Sequence, residues 1–218
     1  MSELRGVRGL HHVTAISGPA QENLDFYAGV LGMRLVKRSV NQDDPGTYHL
    51  FYADAAGTPG SDLTFFPWER MAPARRGHGL AVEVSLAVPA ASLDWWAARF
   101  ERYGVAAERP GERFGEPTLV LRDPHGLALA LVASAGASTR PFEAWNGGPV
   151  PGEHQVRGLE GARLLEREPA ATIALLGAAL GFHPVGEERG WQRWAAGAGG
   201  SGTWLDLRAA ADGAEQRR

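Results

Sequence analysis

Apolar residues recur three or four positions apart in three stretches, residues 19–32 (PAQENLDFYAGVLG), 89–104 (PAASLDWWAARFERYG) and 169–181 (PAATIALLGAALG). Each opens on a proline and closes on a glycine, the residues that suit the first turn of a helix and the position just past its end, so each predicts a helix. Leu24, Tyr27 and Leu31 line one face of the first, and Leu93, Trp96, Ala97 and Phe100 one face of the second, which lets each lie on a sheet. A strand-like run precedes each helix: LHHVTAIS at 10–17, LAVEVSLAV at 80–88 and LEGARLLE at 159–166. Three short β-like runs follow each: MRLVKRSV, TYHLFYAD and SDLTFFPW; then VAAERP, TLVLRD and LALALVAS; then HPVGEE, WQRWAAG and TWLDLR. Turn residues such as Asp44-Pro45-Gly46 and Asp123-Pro124-His125-Gly126 divide them.

The pattern therefore predicts an α+β fold of three βαβββ units. Units at 8–68 and 78–134 form an expected N-terminal domain, a Gly-, Pro- and Ser-rich linker spans 135–155, and a third unit covers 156–208 as part of a second domain. Residues 209–218 lack periodicity and are expected to be mobile. One such unit is too small to bury its sheet alone, so units should pair. Units two and three are expected to pair with each other. Unit one should then expose a sheet face, and homo-oligomers could form through it.

Composition narrows the chemistry. The 218 residues are 44% hydrophobic and carry a net charge of −3, with Lys37 the only lysine and the arginines scattered, so neither nucleic acid nor an acidic membrane is an expected partner. No cysteine is present, which removes disulfides, cysteine-ligated zinc, iron–sulfur clusters and thiol nucleophiles. No apolar run approaches the ~18 residues of a membrane span, and the first residues, MSELRGVRGLHH, lack the apolar core of a secretory signal, so a cytoplasmic location is expected. The phosphate-cradling, dinucleotide-binding, zinc-protease and nucleophile-elbow motifs are all absent.

The run from GLHHVTAISGPAQENLDFYAGVLG to SDLTFFPW (residues 9–68), with ERFGE at 112–116 and VPGEHQVRGL at 150–159, resembles the vicinal-oxygen-chelate superfamily of glyoxalases, bleomycin-resistance proteins and dioxygenases. Within it, the chain is most similar to the ring-cleaving dioxygenases that open hydroquinones. The resemblance implies four βαβββ units and Fe(II), or another divalent metal, held by two histidines and a glutamate. The first histidine, from the opening strand of unit one, matches His12; the other two ligands come from unit four, which the chain is expected to lack. The implied partners are a small hydroquinone- or catechol-type aromatic and dioxygen. Alternatives are a metal-free pocket protein for an aromatic or drug-like ligand, as in bleomycin resistance, and a glyoxalase-type isomerase or lyase.

Aligning the units on Leu24, Leu93 and Ile173 puts Ala81 and Gly161 at the His12 position. Aligning the closing strands on Gly60, Gly126 and Gly202 puts Thr64, Ala130 and Asp206 at the carboxylate position, so Asp206 is the one further candidate metal ligand. An iron facial triad needs two imidazoles and a carboxylate with open positions left over, and one histidine cannot assemble it. The chain alone is thus expected to hold little iron and to consume negligible oxygen on hydroquinone, unless a neighbouring copy supplies a histidine and a carboxylate. Strand alternation places Thr14 beside His12 in the concave face and His11 beneath the helix. His49 is a candidate pocket residue or a core histidine. Of Trp95 and Trp96, one should face the core and the other a unit interface; Glu83 reads as a solvated carboxylate, Asp123 and His125 as turn residues, and Arg75-Arg76 as an exposed loop.

Overall fold

A computed structural model describes residues 6–70, 77–199 and 202–211. The first strand, β1 (His12–Ser17), leads into α1 (Ala20–Leu24), which continues in wider π geometry over Asp25–Val30. Strands β2 (Arg34–Val40), β3 (Tyr48–Ala53) and β4 (Asp62–Pro67) complete a four-stranded sheet in the order β1-β4-β3-β2, with β1 and β4 parallel. The chain then repeats the sequence of elements: β5 (Leu80–Val88), α2 (Leu93–Arg102), β6 (Ala107–Arg113), β7 (Glu116–Arg122) and β8 (Ala128–Ala133). A further round gives β9 (Gly158–Glu166), α3 (Ala170–Ala178), β10 (His183–Glu188), β11 (Trp191–Ala195) and β12 (Trp204–Ala209).

Strands β5 to β12 form one eight-stranded sheet, ordered β10-β11-β12-β9-β5-β8-β7-β6. Its joint is the antiparallel pair β5–β9, two opening strands laid side by side. The first two helices and their sheets share one core, in which Tyr27, Tyr52, Phe65, Trp96 and Phe100 are fully buried. The faces opposite the helices are left outside this core. A smaller core of Leu176, Phe182, Ala196 and Leu207 lies under α3.

Polar locks fix the first two units against each other. Buried Arg99 on α2 donates from Nε to the Val30 carbonyl (2.7 Å) and from Nη2 to that of Gly29 (2.8 Å), capping the end of the first helical stretch. The Tyr27 hydroxyl donates to Asp123 Oδ2 at 3.1 Å. The other Asp123 oxygen accepts from the backbone of His125 (2.9 Å) and Leu127 (2.8 Å), so this segment is turn chemistry, in agreement with the sequence reading. The segment between β8 and β9 is ordered by side chains that satisfy its backbone. Gln155 Nε2 donates to the carbonyls of Trp145 (2.9 Å) and Val150 (2.8 Å), and Arg140 donates to Leu159 (2.6 Å) and Gly60 (3.1 Å), tying one sheet to the other.

Asp54 holds the same segment from the first sheet. One carboxylate oxygen accepts from the amides of Ala56 (3.1 Å) and Thr58 (2.9 Å), the other from that of Glu143 (3.0 Å). Burial pushes its pKa up, but the donors outweigh burial and hold it below the ordinary carboxylate value. A lowered folded pKa means that this stabilisation is complete above the unfolded value and is lost as pH falls through the folded one. Asp54→Asn is expected to cost about 1–3 kcal/mol at neutral pH. It should also shallow the acid limb of stability, read from urea midpoints between neutral and acid pH; an unchanged acid limb would show that Asp54 does not set it.

Candidate functional site

The open face of the four-stranded sheet carries the sequence candidates. Along β1, His12, Thr14 and Ile16 are exposed, whereas Val13 and Ala15 pack on the core, which is the alternation a half-covered strand requires. The parallel ladder sets His12 beside Asp62 and Thr14 beside Thr64. His49 and Phe51 of β3 lie on the same face: the His49 ring stacks between Phe51 and Phe66, at centroid distances of 4.0 and 4.2 Å. Lys37 Nζ sits 5.3 Å over the Phe51 ring.

A hydrogen-bonded chain crosses this face. Thr64 Oγ1 donates to Thr14 Oγ1 (2.9 Å) and lies 3.0 Å from His49 Nε2. With the Thr64 proton committed to Thr14, His49 must carry its proton on Nε2 and donate. Burial, then the neighbouring charges of His12 and Lys37, lower the His49 pKa, which favours that neutral form. Thr14 accepts from Thr64 and keeps its own proton for a further acceptor.

On this face two residues depart from the sequence reading. His11 is exposed rather than packed under the helix, with its Nδ1 3.1 Å from Nδ1 of His12. The reason is that β1 begins at His12, so strand alternation does not reach back to His11. Asp62, which the sequence reading passed over for Thr64, is the residue directly across from His12. One of its carboxylate oxygens is buried and, among the described residues, has no hydrogen-bond partner; burial raises its pKa against the pull of His11 and His12. The parallel β1–β4 register that brings Asp62 there pairs segments about 50 residues apart, which periodicity within either segment does not reveal.

Ion pairs gather on one face of the eight-stranded sheet. Arg193 makes a bidentate pair with Asp206, Nε to Oδ1 at 2.7 Å and Nη2 to Oδ2 at 3.0 Å, while Arg163 Nε reaches Oδ2 at 3.2 Å. Asp206 is thus the counterion of two guanidinium groups. Glu83 is buried and not solvated: Arg113 lies 2.6 Å from its Oε1 and Arg163 3.7 Å. Arg193 also approaches Glu116 at 3.4 Å, so three arginines balance three carboxylates. Phe114 and Trp204 flank the Arg193 guanidinium at 4.0 and 3.9 Å. The sheet register also replaces Ala81 with Glu83 at the His12 position, because Ser85 pairs Ala130 as Thr14 pairs Thr64. Helix alignment misses this by two residues, since a tight turn at Ala90–Ser92 precedes α2.

The family described as "Glyoxalase/Bleomycin resistance protein/Dioxygenase superfamily" matches residues 9–131. The chain belongs to this superfamily. It is 42% identical over 200 residues to "Putative ring-cleaving dioxygenase MhqO" of Bacillus subtilis strain 168, covering 92% of this chain and 62% of the relative. To the chlorohydroquinone/hydroquinone 1,2-dioxygenase of Sphingobium indicum it is 30% identical over 204 residues, covering 92% and 63%. The chain thus spans about three fifths of the length of these relatives. A crystal structure of a "putative dioxygenase" from Bacillus subtilis superposes with a TM-score of 0.85 at 41% identity, covering 96% of this chain and 66% of the other. Glyoxalase I of Zea mays, in a V278E mutant structure, shares the fold at a TM-score of 0.68 and 15% identity, over 95% of this chain and 69% of that one.

Superfamily dioxygenases use a divalent metal, and the residues of unit one fit such an ion in part. His12 offers an exposed imidazole and Asp62 a carboxylate oxygen beside it, but among the described residues no three histidine, aspartate or glutamate side chains converge. The remaining candidates are structural. Trp96 is buried and donates to the His154 carbonyl at 3.0 Å, and Trp95 stacks on the His154 ring at 4.5 Å, the division between core and interface that helix spacing predicts. Arg75 and Arg76, and residues 212–218 of the expected mobile tail, lie outside the described residues. Among the described residues no helix is long and apolar enough to cross a membrane.

Proposed function

We propose that this chain supplies the His12 side of a metal-dependent ring-cleaving dioxygenase acting on hydroquinone- or catechol-type aromatics. The observation that carries this reading is the open sheet face, with an exposed imidazole at its edge and a polar chain and two phenyl rings behind it. Its support from relatives is the likeness to MhqO and to the hydroquinone dioxygenase over nine tenths of this chain. A divalent metal held by His12 would acidify a phenol and allow electrons to pass between the ring and dioxygen.

The chain's own residues do the rest on this side. Phe51 and Phe66 give an aromatic ring an apolar surface, and Thr14 turns its hydroxyl proton toward a phenolic oxygen. His49 fixes the direction of that hydrogen bond through Thr64. The set of donors is completed by a second βαβββ unit docked on the same face. The single chain is expected to show negligible hydroquinone-dependent oxygen uptake in Fe(II). Fusing it to the part of MhqO that it does not match should give uptake that His12→Ala abolishes. A folded fusion that holds iron but leaves hydroquinone untouched, or whose uptake ignores His12→Ala, would refute the assignment.

A further inference from the structure

Strand β3 divides its side chains between two sides of the first sheet. His49 and Phe51 lie on the open face, whereas Tyr48, Leu50 and Tyr52 face α1. The neighbouring edge strand β2 carries a bulge between Leu35 and Lys37. Leu35 stands opposite Tyr52, Lys37 opposite Phe51 and Arg38 opposite Leu50. Strict alternation would put Leu35 and Arg38 on different faces; the extra residue of the bulge brings both to the α1 side.

Between α1 and these two strands lies a cavity of about 150 Å³. Half-buried Leu24 and Leu35 and buried Leu50 make its wall apolar, and a cavity of this size and lining holds one six-membered ring. Its polar groups differ in depth. Tyr52 is fully buried, its ring held 5.3 Å from that of Tyr27, and its hydroxyl has no hydrogen-bond partner among the described residues. Burial, and then the charge of Asp25, push the Tyr52 pKa up, so the hydroxyl keeps a proton to donate. At the open end Arg38 is exposed beside Tyr48, with its guanidinium 5.4 Å from the ring centroid, and no carboxylate among the described residues pairs with it. Gln21, also in the wall, is committed elsewhere: its Nε2 donates to Asp25 Oδ1 at 2.8 Å.

We propose that this cavity binds a single-ring aromatic carboxylate with a hydroxyl para to the acid, the ring among the leucines, the hydroxyl accepting from Tyr52 and the carboxylate at the mouth against Arg38. Each polar end answers one group of the wall. A neutral phenol would leave the guanidinium unused, and a plain benzoate would leave the buried Tyr52 hydroxyl orphaned. The orientation follows from charge: the reverse pose would bury the carboxylate beside Tyr52, where the Asp25 charge already acts, and leave Arg38 without its counterion. The Tyr52 ring is fixed by Tyr27 and by Phe65, at centroid distances of 5.3 and 6.0 Å, so little ordering is needed on binding. This site is separate from the open face, because β3 stands between the cavity and the His49–Phe51–Phe66 stack. It makes no use of a metal.

Titration of the purified chain with 4-hydroxybenzoate, followed by amide NMR shifts, tests it. Saturable binding with a Kd of about 1 mM or tighter is expected, with shifts centred on Leu24, Leu35 and Leu50. Phenol and benzoate, each lacking one polar end, should bind about 10-fold more weakly. Tyr52→Phe should weaken 4-hydroxybenzoate about 5–10-fold and leave benzoate unaffected, while the urea midpoint stays level or rises, since the change removes an unpaired buried hydroxyl. Arg38→Gln should weaken both acids about 10-fold and spare phenol. His12→Ala should alter none of them. Absence of saturable binding up to about 10 mM overturns the site. Shifts centred on Phe51 and Phe66, or binding lost with His12→Ala, would put the compound on the open face and overturn the cavity. Hexanoate binding as tightly as 4-hydroxybenzoate overturns the aromatic class, and a Tyr52→Phe variant that loses stability but no affinity overturns the role of the hydroxyl.

Discussion

Arg193→Ala is expected to destabilise the fold by about 3–5 kcal/mol, because it breaks a buried ion-pair network by removing one member. Asp206, 3% exposed, would keep only Arg163 at 3.2 Å, and Glu116 would lose the guanidinium at 3.4 Å. Phe114 and Trp204 would also lose the cation between them. The cost is that of stranded charge rather than of the pair's intrinsic worth. Arg193→Met combined with Asp206→Leu should therefore be milder than Arg193→Ala, since it removes both charges and keeps apolar volume. Urea unfolding of the two variants checks this; equal losses would mean that lost packing, not unpaired charge, sets the penalty.

Gly32→Ala is the second large effect, an expected loss of about 2–4 kcal/mol from left-handed backbone strain and overpacking together. Gly32 ends the first helical stretch at φ +69°, and a Cβ there would stand 2.3 Å from Val150 Cγ2 and 2.7 Å from its Cβ. Both contacts are with a branched, buried side chain in the segment that Gln155 clamps, so the neighbour cannot swing aside. Adding Val150→Ala should recover the part due to Cγ2 and leave the Cβ contact and the backbone part. A double variant no more stable than Gly32→Ala would place the penalty in the backbone and the Cβ contact rather than in Cγ2.

By itself the sequence determined the parts of this protein that are local. Helix positions followed from proline and glycine punctuation and apolar spacing, because a helix's ends and buried stripe are set within a dozen residues. The run from Gly9 to Trp68, with residues 112–116 and 150–159, sufficed to indicate the superfamily, and alternation along β1 sufficed to put His12 and Thr14 on one face and Val13 on the other. Tertiary structure decided what depends on register between distant strands. Only the β1–β4 ladder makes Asp62 the neighbour of His12, and only the β5–β8 ladder moves Glu83 into the position that helix alignment gave to Ala81. Charge partners were likewise out of reach of the sequence. Asp206 is a carboxylate at a ligand-like position, but Arg163 and Arg193 arrive on strands β9 and β11 at either side of it and pair with both of its oxygens. The same strand parity governs both sheets; the side chains that fold opposite each position make one face an ion-paired core and leave the other open.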